Sequence, residues 1–234
     1  MTHFDVLVIG TGSGNSILDD RFAHLRVAIA EPHLFGGTCL NAGCIPTKMY
    51  VHPASVAQQA ADSSDLGLFT RYLGADWPAI RDRVFARIDE IEASGRHYRT
   101  HELENTTVIP EHVRFTGPHS LVTDSGGEIT ADRIVIAAGA HPDVPNIPGL
   151  DPAAVDAPGS PFHTSRTIMR VDDLPESVLI VGSGYIAMEF AHIFTGLGAH
   201  DHRGPRPAPA GRAGRRGHGP LHGGLRSGPR RPLR

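Results

Sequence analysis

Cys39 and Cys44 are the only cysteines of this 234-residue chain, and both lie in GGTCLNAGCIPTK, Gly36–Lys48. Two close thiols can be unrelated buried groups, half of a metal site, or a dithiol–disulfide couple that carries two electrons. A metal site needs further ligands, and the nearest histidines, His33 and His52, flank the segment without a metal-motif spacing. A disulfide needs Cα atoms roughly 4.4–6.8 Å apart. Residues i and i+5 of a regular α-helix are farther apart than that range favours, so the redox reading requires the segment to leave regular helix. Pro46 agrees, because it has no N–H for the Ala42 carbonyl. A helix starting nearby would favour the thiolate. Lys48, the chain's one lysine against 21 arginines, adds positive charge.

Two glycine turns offer a second chemistry. Gly10-Thr11-Gly12-Ser13-Gly14-Asn15 follows the apolar run FDVLVIG, and Gly182-Ser183-Gly184-Tyr185-Ile186-Ala187 follows SVLIVG. In such turns the first glycine permits the bend, the second lets backbone approach a pyrophosphate, and the third lets helix and strand pack closely. The first turn carries Asn15 at the third position and the second carries Ala187. Glu31 ends the next strand-like run, RVAIAE, about 20 residues on, where an acid would bind a ribose hydroxyl. Ordinary glycine-rich βα turns remain the plainer alternative for both.

The elements that must position these groups form an α/β pattern. Phe4–Gly10, Arg26–Glu31 and Arg133–Gly139 read as buried parallel strands. TTVIP, EHVRFTG and HSLVTD read as strands leading to a Gly126–Gly127 turn. Val51, Val56 and Ala60 suit a helix after the cysteines. Ile80, Val84, Ile88 and Ile91 recur at helical spacing, so an amphipathic helix is expected from Pro78 to about Tyr98. A Pro/Gly-rich connection follows near residue 150. Two Rossmann-like, three-layer nucleotide-binding domains result: residues 1–150, with the cysteines, and residues 151–199, the start of a second and incomplete one.

Hydrophobic residues make up 40% of the chain and charged ones 20%. No apolar run approaches the ~18–20 residues of a membrane span, and the N-terminus lacks a basic signal-peptide region. A cytoplasmic protein is expected, where a purely structural disulfide is improbable. Charge is split: residues 1–199 carry 13 basic against 24 acidic side chains, and residues 200–234 carry nine Arg against Asp201 alone.

GGTCLNAGCIPTK resembles the redox-active signature of the pyridine nucleotide–disulfide oxidoreductases, the group of glutathione reductase and dihydrolipoyl dehydrogenase. The resemblance covers about residues 1–199. It implies that the first glycine unit binds FAD, one per subunit, and the second NADPH, with NADH possible. By matching position, Cys44 is the charge-transfer thiol beside the flavin and Cys39 the interchange thiol. Lys48 would lie near the flavin and pair with Glu189. The resemblance makes Cys39, Cys44, Lys48 and Glu189 catalytic. It gives cofactor contacts to Gly10, Gly12, Ser13, Gly14, Asn15, Glu31, Gly37, Thr38, Lys48, His112, Val113, Ala138 and Gly139 on the FAD side, and to Gly182, Gly184, Tyr185 and Ile186 on the other. No metal is implied.

Segments Gly10–Phe22 and Arg83–Arg99 resemble one branch of the family more than its other members, most of which carry Gly where Asn15 sits. The implied activity is reduction of a low-molecular-weight disulfide by a homodimer. Dihydrolipoyl dehydrogenase-like and mercuric reductase-like activities are the alternatives, and a non-catalytic flavin-binding remnant is one of another class.

Residues 200–234 contain nine Arg, eight Gly and six Pro with no aromatic residue, so a disordered tail is expected. The family's later segments, including an interface domain with an acid–base pair, are expected to be missing, which would impair turnover. Read one base later with GC-rich codons, the tail encodes a strand ending in arginine, so a frameshift near codon 199 is expected. Nucleic-acid binding by the arginines is the rival reading, disfavoured by the lack of stacking aromatics.

Overall fold

The computed structural model describes residues 1–204. Six strands form the main sheet: β1 (Thr2–Ile9), β2 (Val27–Ala30), β3 (Thr106–Ile109), β4 (Val113–Gly117), β5 (Ser120–Thr123) and β6 (Glu128–Ile136), in the order β3-β2-β1-β6-β5-β4. β3, β2, β1 and β6 run parallel, while β5 pairs antiparallel with both β6 and β4. All four residues of β2 are buried, as expected of a parallel strand covered on both faces. The chain steps outward from β1 to β3 and returns on the other side of β1 at β6. Their carboxyl ends therefore open at a topological switch point, where α/β sheets bind ligands.

The last strand differs from its expected span. β6 starts at Glu128 and stops at Ile136, which leaves Ala137–Gly139 as a loop at its carboxyl end. A second difference follows the first glycine turn, where the expected helix is two short 3-10 turns, Ser13–Ile17 and Asp20–Phe22. Gly14, Asn15 and two serines are poor helix formers, and Asp19 starts the second turn by accepting the Arg21 N–H.

Four α-helices follow in chain order: α1 (Gly37–Ala42), α2 (Cys44–Asp62), α3 (Trp77–His97) and α4 (Tyr185–Leu197). α3 matches its expected span, with Pro78 in its first turn and the Asp76 side chain capping it at Ala79 N–H. Val84 and Ile88 are fully buried, whereas Ile91 is 37% exposed, because the core contact is completed instead by Trp77 and Phe85.

One hydrophobic cluster joins α2, α3 and α4 through Tyr50, Trp77, Phe85, Ile88, Met169 and Phe194. Tyr50 stacks on Trp77 at 4.9 Å, its hydroxyl donates to the Met169 carbonyl at 2.7 Å, and the Trp77 indole N–H donates to Val171 at 2.8 Å. Each such side chain contributes about 1.5–3 kcal/mol by burial. α2 and α4 cross closely: a Cβ on Gly196 would lie 2.9 Å from the Ala54 carbonyl oxygen. The second glycine unit is thus seated directly on the helix that begins at Cys44.

β7 (Ser177–Val181) pairs in parallel with β8 (His200–Gly204). His200–Gly204, the first residues of the expected tail, form this strand. Backbone ladders need no apolar side chains, and the His200 N–H already bonds the Glu176 carbonyl at 2.9 Å. The rest of the tail lies outside the described residues. No helix among the described residues is long and apolar enough to cross a membrane.

Candidate functional site

The cysteine segment does leave regular helix, but at Gly43 rather than at Pro46. α1 ends and α2 begins around Gly43, whose backbone lies at φ −145° and ψ −121°. A Cβ there would stand 2.9 Å from the Thr38 carbonyl oxygen. Pro46 falls in the first turn of α2, where a missing N–H costs nothing. Cys39 therefore sits inside α1 and Cys44 opens α2.

Both cysteines are free thiols, Cys39 half-buried and Cys44 exposed. A hydrogen bond to Cys44, made by the protonated thiol, and then burial push Cys39 above the ordinary thiol range. Cys44 and Lys48 are one helical turn apart and share a face of α2. Lys48 Nζ reaches Glu189 Oε1 of α4 at 2.6 Å, as the resemblance implied. Ser55 and His192 make a second link between these helices, at 3.0 Å.

Three loops converge at the switch point. Gly10 has φ +107°, and a Cβ there would strike the Ala137 carbonyl oxygen at 2.3 Å and approach Ala138 Cα at 3.4 Å. A Cβ on Gly14 would meet that of Ala137 at 2.5 Å, and one on Gly37, at φ +64°, would meet Gly12 Cα at 2.7 Å. The first glycine turn is thereby pressed between the loop after β6 and the start of the cysteine segment. Glu31, at the end of β2, receives the Thr11 N–H at 3.1 Å and hydroxyl at 2.8 Å on one oxygen, and the His33 N–H at 3.0 Å on the other. His33 meets His112 edge to face at 5.2 Å, and Val113 starts β4 beside it. Ser13 belongs to the 3-10 turn, with its carbonyl accepting from Ser16, and Thr38 lies in the first turn of α1. Gly139, with φ +71°, faces open space.

Gly182 and Gly184 form the second turn, also facing open space. Tyr185 and Ile186 open α4, 81% and 49% exposed.

The expected FAD-side residues are thus gathered at one sheet end. Lys48 and Glu189 bind the cysteine helix to the second turn. Several contacts were not legible in the sequence. Arg99 donates to Asn15 at 2.8 Å, Glu92 accepts the Phe35 N–H at 2.9 Å, and Asn41 donates to the Phe35 and Gly37 carbonyls. The pairs made by Arg99 and Glu92 span 84 and 57 residues and leave no local signal, although the row Glu92, Arg96, Arg99 shows the i, i+4, i+7 spacing of one helix face.

Two buried polar atoms have no partner among the described residues, Asn15 Nδ2 and Asn41 Oδ1. They flank the first turn and the cysteine segment. Together with the crowded Gly10–Gly14 backbone and the acid beside it, they fit a dinucleotide such as FAD. The one group with metal-compatible spacing among the described residues, His3, Asp5 and Asp132, lies at the amino end of β1, away from these loops.

This fold, a glycine turn at a switch point pressed against a dithiol helix break, places the protein among flavin- and nucleotide-type α/β proteins with a paired-thiol centre. Residues 4–211 match the family model of pyridine nucleotide-disulphide oxidoreductases, and the chain belongs to that family. It is 48% identical over 203 residues to mycothione reductase of Mycobacterium tuberculosis (strain CDC 1551 / Oshkosh), covering 85% of this chain and 42% of that protein. Identity to glutathione reductase of Burkholderia cepacia is 34% over 200 residues, covering 84% and 42%. The structure of the HOCl-induced flavoprotein disulfide reductase RclA from Escherichia coli superposes with TM-score 0.68 at 30% identity, over 85% of this chain and 41% of that one. The chain thus spans about two fifths of the length of these relatives. The branch that Gly10–Phe22 and Arg83–Arg99 resemble is that of the mycothione reductases, in agreement with the 48% identity.

Proposed function

We propose that the protein serves as a flavin-dependent disulfide reductase, passing two electrons from NADPH through FAD to the Cys39–Cys44 couple and on to mycothione, a low-molecular-weight disulfide. The observation that carries this reading is the Gly43 break, which sets Cys39 in α1 and Cys44 at the start of α2, with Gly37 pressed on the first glycine turn. FAD, when bound, would supply the step between nicotinamide hydride and disulfide.

The chain's own residues would bind the dinucleotides and carry the thiol exchange. Gly10–Gly14 would take the pyrophosphate, Glu31 and His112 the adenosine end, and Gly182–Ile186 the nicotinamide dinucleotide. In the reduced couple, Cys39 as thiolate attacks one sulfur of the substrate disulfide. One thiol leaves and a mixed disulfide forms on Cys39. Cys44 then attacks the Cys39 sulfur, expels the second thiol and re-forms the Cys39–Cys44 bond. Overall one NADPH and one proton become NADP⁺ while one disulfide becomes two thiols. Cys39 keeps its proton to higher pH than an ordinary thiol, so its attack calls for a base to receive that proton. The family implies a homodimer.

The test is thiol release from mycothione with NADPH, beside lipoamide turnover with NADH. Mycothione turnover that is lost in both Cys39→Ser and Cys44→Ser supports the proposal. Preference for NADH and lipoamide would assign a dihydrolipoyl dehydrogenase-like activity. Flavin binding without any disulfide turnover would leave the non-catalytic reading.

A further inference from the structure

The third position of the first glycine turn holds a side chain where close packing calls for none. Asn15 is only 3% exposed. Its Oδ1 accepts from Arg99 Nε at 2.8 Å, while its Nδ2 is buried and unpartnered among the described residues. Turning the amide over would oppose two donors, Nδ2 and Nε, so Arg99 fixes its orientation.

Arg99 comes from the π-helical turn Tyr98–Glu102 that continues α3, a geometry frequent at functional sites. Its Nη1 donates to the Gly95 carbonyl at 3.1 Å. Burial pushes its guanidinium below the ordinary arginine value, and no carboxylate among the described residues opposes that. Arg96, one turn earlier, differs: Glu92 neutralises it at 2.6 Å. A half-buried cation without an anion is unfavourable. It stands against a turn whose backbone suits a diphosphate, beside an amide donor that lacks an acceptor.

We infer that Asn15 and Arg99 are a positioning pair for the dinucleotide diphosphate, Asn15 tying Arg99 to the glycine turn and Arg99 setting a positive charge against it. The inference rests on the reading of the first turn as the FAD site. The competing account is a brace that fills the space of a missing third glycine.

The experiment measures FAD and ADP binding to the full chain at low and high ionic strength, with riboflavin, which lacks the diphosphate, as control. Arg99→Met should weaken FAD and ADP at least about tenfold, flatten the salt dependence, and leave riboflavin unchanged. Arg99→Lys should retain the salt dependence while losing part of the affinity. Unchanged FAD and ADP affinity in Arg99→Met, with a lower thermal midpoint of the FAD-free chain, makes the pair a brace and overturns the inference. If Arg99→Met does not fold, Arg99→Lys decides, because loss of the salt dependence with the charge kept also overturns it. A wild-type chain that binds neither FAD nor ADP refutes the FAD reading and the inference together.

Discussion

Lys48 Nζ stands 2.6 Å from Glu189 Oε1, linking the helix that begins at Cys44 to the helix opened by the second glycine turn. Their side chains are 68% and 33% exposed, so the pair adds little to stability, about 0–1 kcal/mol. Under the proposed function Lys48 acts in the chemistry beside the flavin and not as a stabilising pair. Lys48→Met should shift the thermal midpoint only slightly yet slow NADPH-driven flavin reduction at least about tenfold. Equal reduction rates in wild type and variant, followed by stopped-flow absorbance, would reduce the pair to a tether between helices.

The two thiols should react at different pH. Cys39 is held above the ordinary thiol range by its hydrogen bond with Cys44 and then by burial, and it is the less exposed of the two. Only thiolates alkylate. Iodoacetamide should therefore label Cys44 first across neutral pH, with Cys39 gaining rate only in the alkaline range. In Cys44→Ser the thiol partner is gone, and the Cys39 profile should move down in pH. Peptide mapping of the labelled chain checks both. Equal labelling of both sulfurs at neutral pH would contradict the assigned geometry.

Asp156 ties the connection ahead of the second glycine unit. Its carboxylate receives the Thr164 N–H at 2.7 Å and the Thr164 hydroxyl at 2.6 Å, together with the Thr167 hydroxyl. Burial, the largest single influence, pushes its pKa up, but the hydrogen bonds from Thr164 and Thr167 outweigh it and the net shift is downward. An acid whose folded pKa is depressed stabilises above its unfolded pKa, near 3.8, and that contribution is lost as pH falls through the folded value. Asn tolerates the left-handed backbone found here at φ +62°. Asp156→Asn should thus cost roughly 1–2 kcal/mol at neutral pH, a gap that closes in strong acid. Thermal melts across pH read it directly, and a gap that persists at the acid end would contradict the linkage.

The legible parts of the protein were those written in short, local patterns. The cysteine motif, both glycine turns, and the strand of Val27–Ala30 each signal through a few neighbouring residues, and α3 through its 3.6-residue spacing. Lys48 and Glu189 were joined through family resemblance, since 141 residues separate them. What stayed hidden depends on geometry made elsewhere. Pro46 looked like the breaker, but Gly43 is, because a proline in a first helical turn removes no bond. The helix that such a turn usually opens is replaced by the 3-10 turns Ser13–Ile17 and Asp20–Phe22, where Gly, Asn and Ser are poor helix formers. β8 escaped notice because its ladder uses backbone that any composition supplies.

The glycines of the two turns separate packing from ligand approach. A Cβ on Gly14 would lie 2.5 Å from that of Ala137, while one on Gly184 would meet nothing within 4 Å. Gly14 is therefore required by the fold itself, at the point where the first turn presses on the loop after β6. Gly14→Ala should destabilise the chain by about 1–3 kcal/mol and weaken FAD as a consequence. Gly184 is free of the fold, so Gly184→Ala should leave the thermal midpoint and FAD affinity as in wild type. Its backbone is at φ −76° and ψ 176°, which alanine adopts without strain. What the added methyl would obstruct is a pyrophosphate approaching the start of α4, so NADPH affinity alone should fall. Calorimetric titration of NADPH into both variants tests this: equal NADPH affinity in wild type and Gly184→Ala would remove the second turn from the nicotinamide site.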